Sequence, residues 1–271
     1  MTAEELYELL ALPQEVAEEF RRLDAEGGRV IDGALRERLG RRADWPEAVR
    51  ELQRRVGEDP DGLLALHELL LESLRTWEGY RRKGISLEIF AATMRFATRY
   101  LYDRKRAAGR YGFVAAWWFP RELAMQEFRL GALEFEMAEG EEGRSVEIHI
   151  PSDASLAPAD VDASFAACRA FLARYYPDWT GVAWHTDSWM LSPVLPRLLP
   201  ETSRILAFQR RFRLEEFNDH THGAISWVFP GHREPSEDLQ EDTTLQRRMM
   251  VYLLAGGCVG WARGVLLESL E

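Results

Sequence analysis

Two short stretches carry the residue types that could move protons. The first, Ser145–Pro151, reads SVEIHIP. Strand alternation puts Val146, Ile148 and Ile150 on one face, and Glu147 and His149 two residues apart on the other. Either Glu147 or His149 could take a proton, directly or through water. The other reading of the pair is a solvated strand face with cross-strand hydrogen bonds. The second stretch, 185–193, reads HTDSWMLSP. His185, Ser188 and Ser192 could return a proton to a leaving group, although Ser192 also stands where it could cap a helix starting at Pro193. His185, Asp187 and Ser188 do not make a hydrolase triad, because neighbours on a strand alternate faces and cannot all converge.

Two further groups have weaker claims. His220 and His222 beside Asp219 are spaced i, i+2, as metal ligands on one face could be, but no third ligand follows at a recognisable spacing. The stretch NDHTHG reads as a solvated turn, and no metal is expected. Arg210, Arg211 and Arg213 fall in a segment that reads as a strand. There Arg211 and Arg213 share the polar face with Gln209, and could hold a phosphate or carboxylate, or pair with nearby acids.

These residues must be positioned by a chain of 271 residues with a net charge of −11, 46% hydrophobic and 29% charged. That is the composition of a folded globular protein. The charge is unevenly spread: residues 1–116 hold 20 basic and 21 acidic side chains, leaving 14 basic and 24 acidic in residues 117–271. Such a second half disfavours nucleic acid, which is bound by neutralising phosphates, and favours a cationic small-molecule substrate. Cys168 and Cys258 form neither a disulfide framework nor a zinc motif. No run is apolar enough to span a bilayer, so no membrane role is expected. No signal peptide is read at the acidic, amphipathic N-terminus, and a cytoplasmic location is the expectation.

Up to about Arg110 the apolar spacing predicts helices near 2–11, 14–26, 30–39, 46–56, 61–76 and 86–107, broken at Pro13, Gly27-Gly28, Pro46, Asp59-Pro60 and Gly84. His67, set among leucines, reads as a packed helix residue. From Phe113 the pattern changes, which sets the expected domains at 1–112 and 113–271. Strands are expected at 128–137, 145–151, 181–191, 204–217 and 223–230, with a last one in CVGWARGVLL. Helices are expected at 158–176 and 193–199, and from Thr243, whose spacing to Gln246 fits a capping box. The first two strands form a hairpin. The helix from Pro158 is a crossover that makes 145–151 and 181–191 parallel. The fold class is α+β: an all-helical N-terminal domain, then a mixed sheet flanked by helices.

This order resembles the core of the GNAT acyltransferase fold. The strings FRLGALEFEM, IHIPSD, SWMLSP, ILAFQRRF and DTTLQRRMMVYLLAGGCVG are similar to those of a bacterial N-acyltransferase family that joins a helical N-terminal domain to a GNAT-like C-terminal domain. The resemblance implies a donor such as acetyl-CoA or another acyl-CoA, and a small amine as acceptor. It places SVEIHIP as the strand lining the acceptor site, with His149 and Glu147 as base, and His185 or Ser188 as proton donor to the thiolate. Donor phosphates would meet the loop after that strand, at Ser152 and Asp153, and the polar residues Gln209 and Arg211. Here the chain departs from the fold's usual pattern. The loop PSDASLAPADVD has no glycine and carries Asp153, Asp160 and Asp162, acids that suit a self-capped helix and repel a pyrophosphate. An alternative follows: a catalytically inactive GNAT-like module that binds a small ligand or another protein.

Overall fold

The computed structural model describes residues 1–140 and 143–269. By its contacts the chain divides into two compact units, Met1–Arg129 and Leu130–Glu271. The first is helical: α1 (Ala3–Leu9), α2 (Gln14–Glu26), α3 (Gly33–Leu39), α4 (Trp45–Val56), α5 (Leu63–Lys83), α6 (Leu87–Met94), α7 (Phe96–Ala108) and α8 (Pro120–Leu123). Local chemistry sets their ends. Thr2 and Glu5 form a capping box on α1, the Asp32 carboxylate accepts from Leu35 N–H at 2.8 Å, and Gly84 ends α5 in the left-handed region. The helix expected over 86–107 is two helices that break at Arg95. His67 is buried beside the Phe20 ring, with Nε2 3.0 Å from Asp24 Oδ1.

After the helices comes a mixed six-stranded sheet, of which all strands but the first lie wholly in the second unit. Its strands are β1 (Glu127–Leu130), β2 (Leu133–Gly140), β3 (Gly143–His149), β4 (Ala183–Ser188), β5 (Phe212–Asn218) and β6 (Trp261–Leu266), in spatial order β1-β2-β3-β4-β6-β5. The hairpin is present, with β2 and β3 antiparallel from Glu134↔His149 to Gly140↔Gly143. Its turn residues Glu141 and Glu142 lie outside the described residues. Helix α9 (Pro158–Tyr175) crosses over to make β4 parallel to β3, as the connection length required. Its buried face stacks Phe165 edge-on against Phe135 of β2 and Trp184 of β4, at 6.3 and 5.9 Å between ring centroids.

Three strand expectations need correction. Residues 128–137 are not one strand: Gly131 takes φ +74° and splits them into β1 and β2, and a Cβ there would stand 2.6 Å from Ser164 Oγ. Residues 204–217 are a helix, α11 (Arg204–Gln209), followed by β5 from Phe212. Residues 223–230 hold helix α12 (Ala224–Val228). In α12 the buried residues Ala224, Ile225 and Val228 follow i, i+1, i+4 while Trp227 is exposed, which is helical spacing. Both helices join α10 (Leu195–Leu198) and α13 (Thr244–Leu254) around a core of Trp189, Leu206, Ile225, Phe229 and Met249. The Thr243–Gln246 capping box starts α13 as its spacing indicated. The strand expected over 181–191 ends at Ser188 in a 3₁₀ turn, and the helix expected over 193–199 is the shorter α10.

Candidate active site

Strands β3 and β4 pair over only part of their length. The register runs Ser145↔Ala183, Val146↔Trp184, Glu147↔His185 and stops, although β3 continues to His149 and β4 to Ser188. Just past the last pair, Thr186 Oγ1 donates to Ile148 O at 2.8 Å, so a buried hydroxyl bridges strands that no longer share a ladder. The parting point is flanked by the two histidines singled out from sequence, His149 on β3 and His185 on β4.

Alternation turns Val146, Ile148, Trp184, Thr186 and Ser188 into the packed side and leaves Glu147, His149, His185 and Asp187 on the other face. Glu147 is not a free base. Arg263 of β6 donates to both its oxygens at 2.9 Å, and Ser145 Oγ donates to Oε1 at 2.8 Å. Burial works to raise the Glu147 pKa, but the bonds from Arg263 and Ser145, with the charge of Arg263, outweigh it and hold the carboxyl below its ordinary range. A carboxylate so stabilised is a weak proton acceptor.

His149 Nε2 lies 2.9 Å from Oε2 of the buried Glu136, which pairs with Glu147 in the β2–β3 ladder. His185 stands between two carboxylates, Nδ1 3.8 Å from Glu147 Oε1 and Nε2 3.6 Å from Glu215 Oε2. Neither distance is a hydrogen bond, and Nδ1 is buried with no hydrogen-bond partner among the described residues. The β4–β6 register sets Asp187 opposite Arg263 on the same face.

The remaining candidates do not converge there. Ser188 points to the packed side, where its Oγ accepts from Met190 N–H at 3.1 Å and caps the 3₁₀ turn. Ser192 is likewise structural, its hydroxyl donating to Val259 O and accepting from Val194 N–H. Ser152 and Asp153 are exposed in a turn closed by Ala154 N–H to Pro151 O. Gln209 is on α11 rather than a strand face, and its Nε2 donates to Ser192 O at 2.7 Å. Arg211 lies near the start of α9, 2.6 Å from Asp162 and 3.4 Å from Glu268, over the Phe165 ring. The self-capped start expected for α9 is also corrected. Ala157 at the N-cap makes no side-chain cap, Asp160 is hydrogen-bonded by Ser155 Oγ, and Asp162 is taken by Arg211. His220 is exposed and pairs with Asp219.

Sequence reasoning missed Glu136, Glu215 and Arg263. Alternation in LEFEM puts Glu136 opposite the apolar Leu133, Phe135 and Met137, so that signal was present, whereas in WARGVL Arg263 shares its face with Trp261 and Val265 and alternation gave no mark of it. What sequence reasoning lacked was the pairing that brings β2 and β6 to β3 and β4.

A hairpin, a crossover helix and a parallel pair that parts beside polar side chains together make a GNAT-like core. Residues 128–266 match the model of the GNAT-like C-terminal domain, and residues 1–125 match that of the N-acyltransferase N-terminal domain. The chain belongs to the family that these domains define. Among solved structures it is similar to an acyltransferase mutant in complex with octanoyl-CoA. That pair shares 22% identity over 97% of this chain and 87% of the other, with a TM-score of 0.79. It is also similar to an acyltransferase in complex with decanoyl-CoA and teicoplanin, at 22% identity over 98% and 99% of the two chains and a TM-score of 0.71. No curated protein matched the chain.

Proposed function

We propose that this protein transfers an acyl group from an acyl-CoA donor to an amine. The observation that carries the reading is the parting of β3 from β4 with a histidine on each lip. A thioester laid in that opening would present its carbonyl between His149 and His185. Glu136 holds one ring nitrogen of His149 as a donor, so the other nitrogen bears the lone pair. That nitrogen takes the proton as the amine attacks the thioester carbon, and the buried Glu136 carboxylate stabilises the imidazolium. The C–S bond breaks, and His185, close to Glu147 and Glu215, protonates the thiolate. Glu147 keeps Arg263 in place rather than acting as base. The acids around the opening favour a cationic small-molecule acceptor. The similar structures were solved with octanoyl- and decanoyl-CoA, so the donor series tested extends from acetyl-CoA to these chain lengths.

The test is thiol release from that series in the presence of amines. His149→Gln removes the imidazole without charge, and kcat falls at least ~100-fold with KM little changed. Full activity in both His149→Gln and His185→Gln overturns the assignment of roles.

A second reading is favoured by the start of α9, where Asp160 and Asp162 stand and Arg211 is already engaged by acids. On that reading the chain is an inactive GNAT-like module for another ligand. A folded sample that binds no acyl-CoA and releases no thiol selects it.

A further inference from the structure

We infer that the helical unit carries an anion site of its own, a cavity of about 220 Å³ lined in part by Arg36, Arg75, Thr76, Gly79, Arg82 and Met125, which takes a diphosphate-bearing small molecule. On α5, residues 72, 75, 76, 79 and 82 recur at three- and four-residue spacing, so they share one face. Glu72, the acid on that face, is already matched: Arg36 grips both its oxygens, at 2.6 and 2.8 Å, and Arg29 approaches at 3.3 Å. What remains facing the cavity is positive.

Arg75 and Arg82 are exposed, and among the described residues neither has an ion-pair partner. This departs from the local habit. Arg22, Arg50, Arg54, Arg81 and Arg106 each pair with an acid three residues earlier. Three residues before Arg75 is Glu72, held by Arg36 and Arg29. Three residues before Arg82 is Gly79, which has no side chain.

Gly79 lies inside a 21-residue helix, where glycine is unfavourable, so a packing reason is expected. A Cβ there would stand 2.7 Å from Met125 Sδ and 3.9 Å from an Arg82 guanidinium nitrogen. Met125 itself takes φ +56°, a conformation seldom held by a residue other than glycine, and strain of this kind clusters at ligand clamps. Thr76 Oγ1 donates to Leu123 O at 3.1 Å and fixes the same segment against α5. The wall is thus bare helix backbone closed by a strained turn, with two unmatched arginines, their guanidinium forks carried on backbone positions about 10 Å apart along the axis. One carboxylate cannot serve both forks, whereas a diphosphate offers oxygens to each.

Such a group could come from a CoA-type donor, which rests on the function proposed above, or from a separate phosphate compound, which does not. The test titrates the full chain with inorganic pyrophosphate by calorimetry at low salt. Wild type and Arg81→Glu are expected to saturate at one site. The doubly substituted Arg75→Glu/Arg82→Glu is expected to bind at least tenfold more weakly, with an unchanged circular dichroism spectrum. Arg81→Glu changes the charge by the same step on a neighbouring, paired side chain. No saturable binding to wild type, or an equal loss per charge in Arg81→Glu, overturns the site. A CoA titration then identifies the source. CoA that competes with pyrophosphate and weakens in the double variant assigns the site to the donor. CoA that binds unchanged beside pyrophosphate assigns it to a separate phosphate compound and leaves the transferase reading intact.

Discussion

Replacing Arg263 by methionine removes the guanidinium that both oxygens of Glu147 face, while keeping a similar apolar stem. The Glu147 side chain is 16% exposed and that of Arg263 31%, so the pair sits short of full burial. Breaking a fully buried pair costs roughly 3–5 kcal/mol, and breaking an exposed one under about 1 kcal/mol. With two 2.9 Å bonds lost and the Ser145 bond retained, the expected loss is about 2–3 kcal/mol at pH 7. Chemical denaturation of Arg263→Met, Glu147→Gln and the double variant completes a cycle whose coupling should be about 2 kcal/mol. The pH dependence has a definite sign. In the wild type the Glu147 pKa is depressed, so its contribution is complete above the unfolded value of about 4.3 and is lost as pH falls through the lower folded value. In Arg263→Met burial acts unopposed by the guanidinium and raises the folded pKa. The penalty on the ionised carboxylate is therefore relieved as pH falls from 7 toward 5, and the gap to wild type narrows. A coupling below about 0.5 kcal/mol, or a gap that does not change with pH, refutes the reasoning.

Three further predictions concern the frame of the site. Thr186→Val keeps the shape of the side chain but removes the bond to Ile148 O, and should cost about 1–2 kcal/mol in thermal unfolding. An unchanged midpoint means the hydroxyl does not hold the strands where they part. Gly260→Ala should cost more than about 2 kcal/mol, since φ is +76° and the new Cβ would stand 2.5 Å from Asn218 O. A soluble variant of wild-type stability counts against that geometry. Thr243→Ala removes the N-cap of α13 and should lower stability by about 1 kcal/mol, while Thr243→Ser restores it.

The helical first unit was legible because long amphipathic stripes, glycines and capping residues act locally. The same holds for α9, α13 and the β2–β3 hairpin. The errors fell where a segment was too short for its period to be read. Arg204–Gln209 and Ala224–Val228 are largely apolar segments of six and five residues, and the shared core around Phe229 and Met249 made them helices. Misreading the first also misplaced Gln209, which was assigned to a strand face that does not exist.

At the candidate site, the sequence by itself determined which residues share a face. Backbone alternation depends only on the order of the chain, and it put Glu147 with His149 and Ser188 away from His185. Which of those groups is free to do chemistry was decided by the tertiary structure. Arg263 lies 116 residues from Glu147, and strand pairing alone delivers it to that carboxylate. The same pairing aligns β2 so that Glu136, 13 residues before His149, reaches its ring. Charge and hydrogen bonding between elements set protonation and orientation, and a pattern local in sequence carries no information about partners so distant.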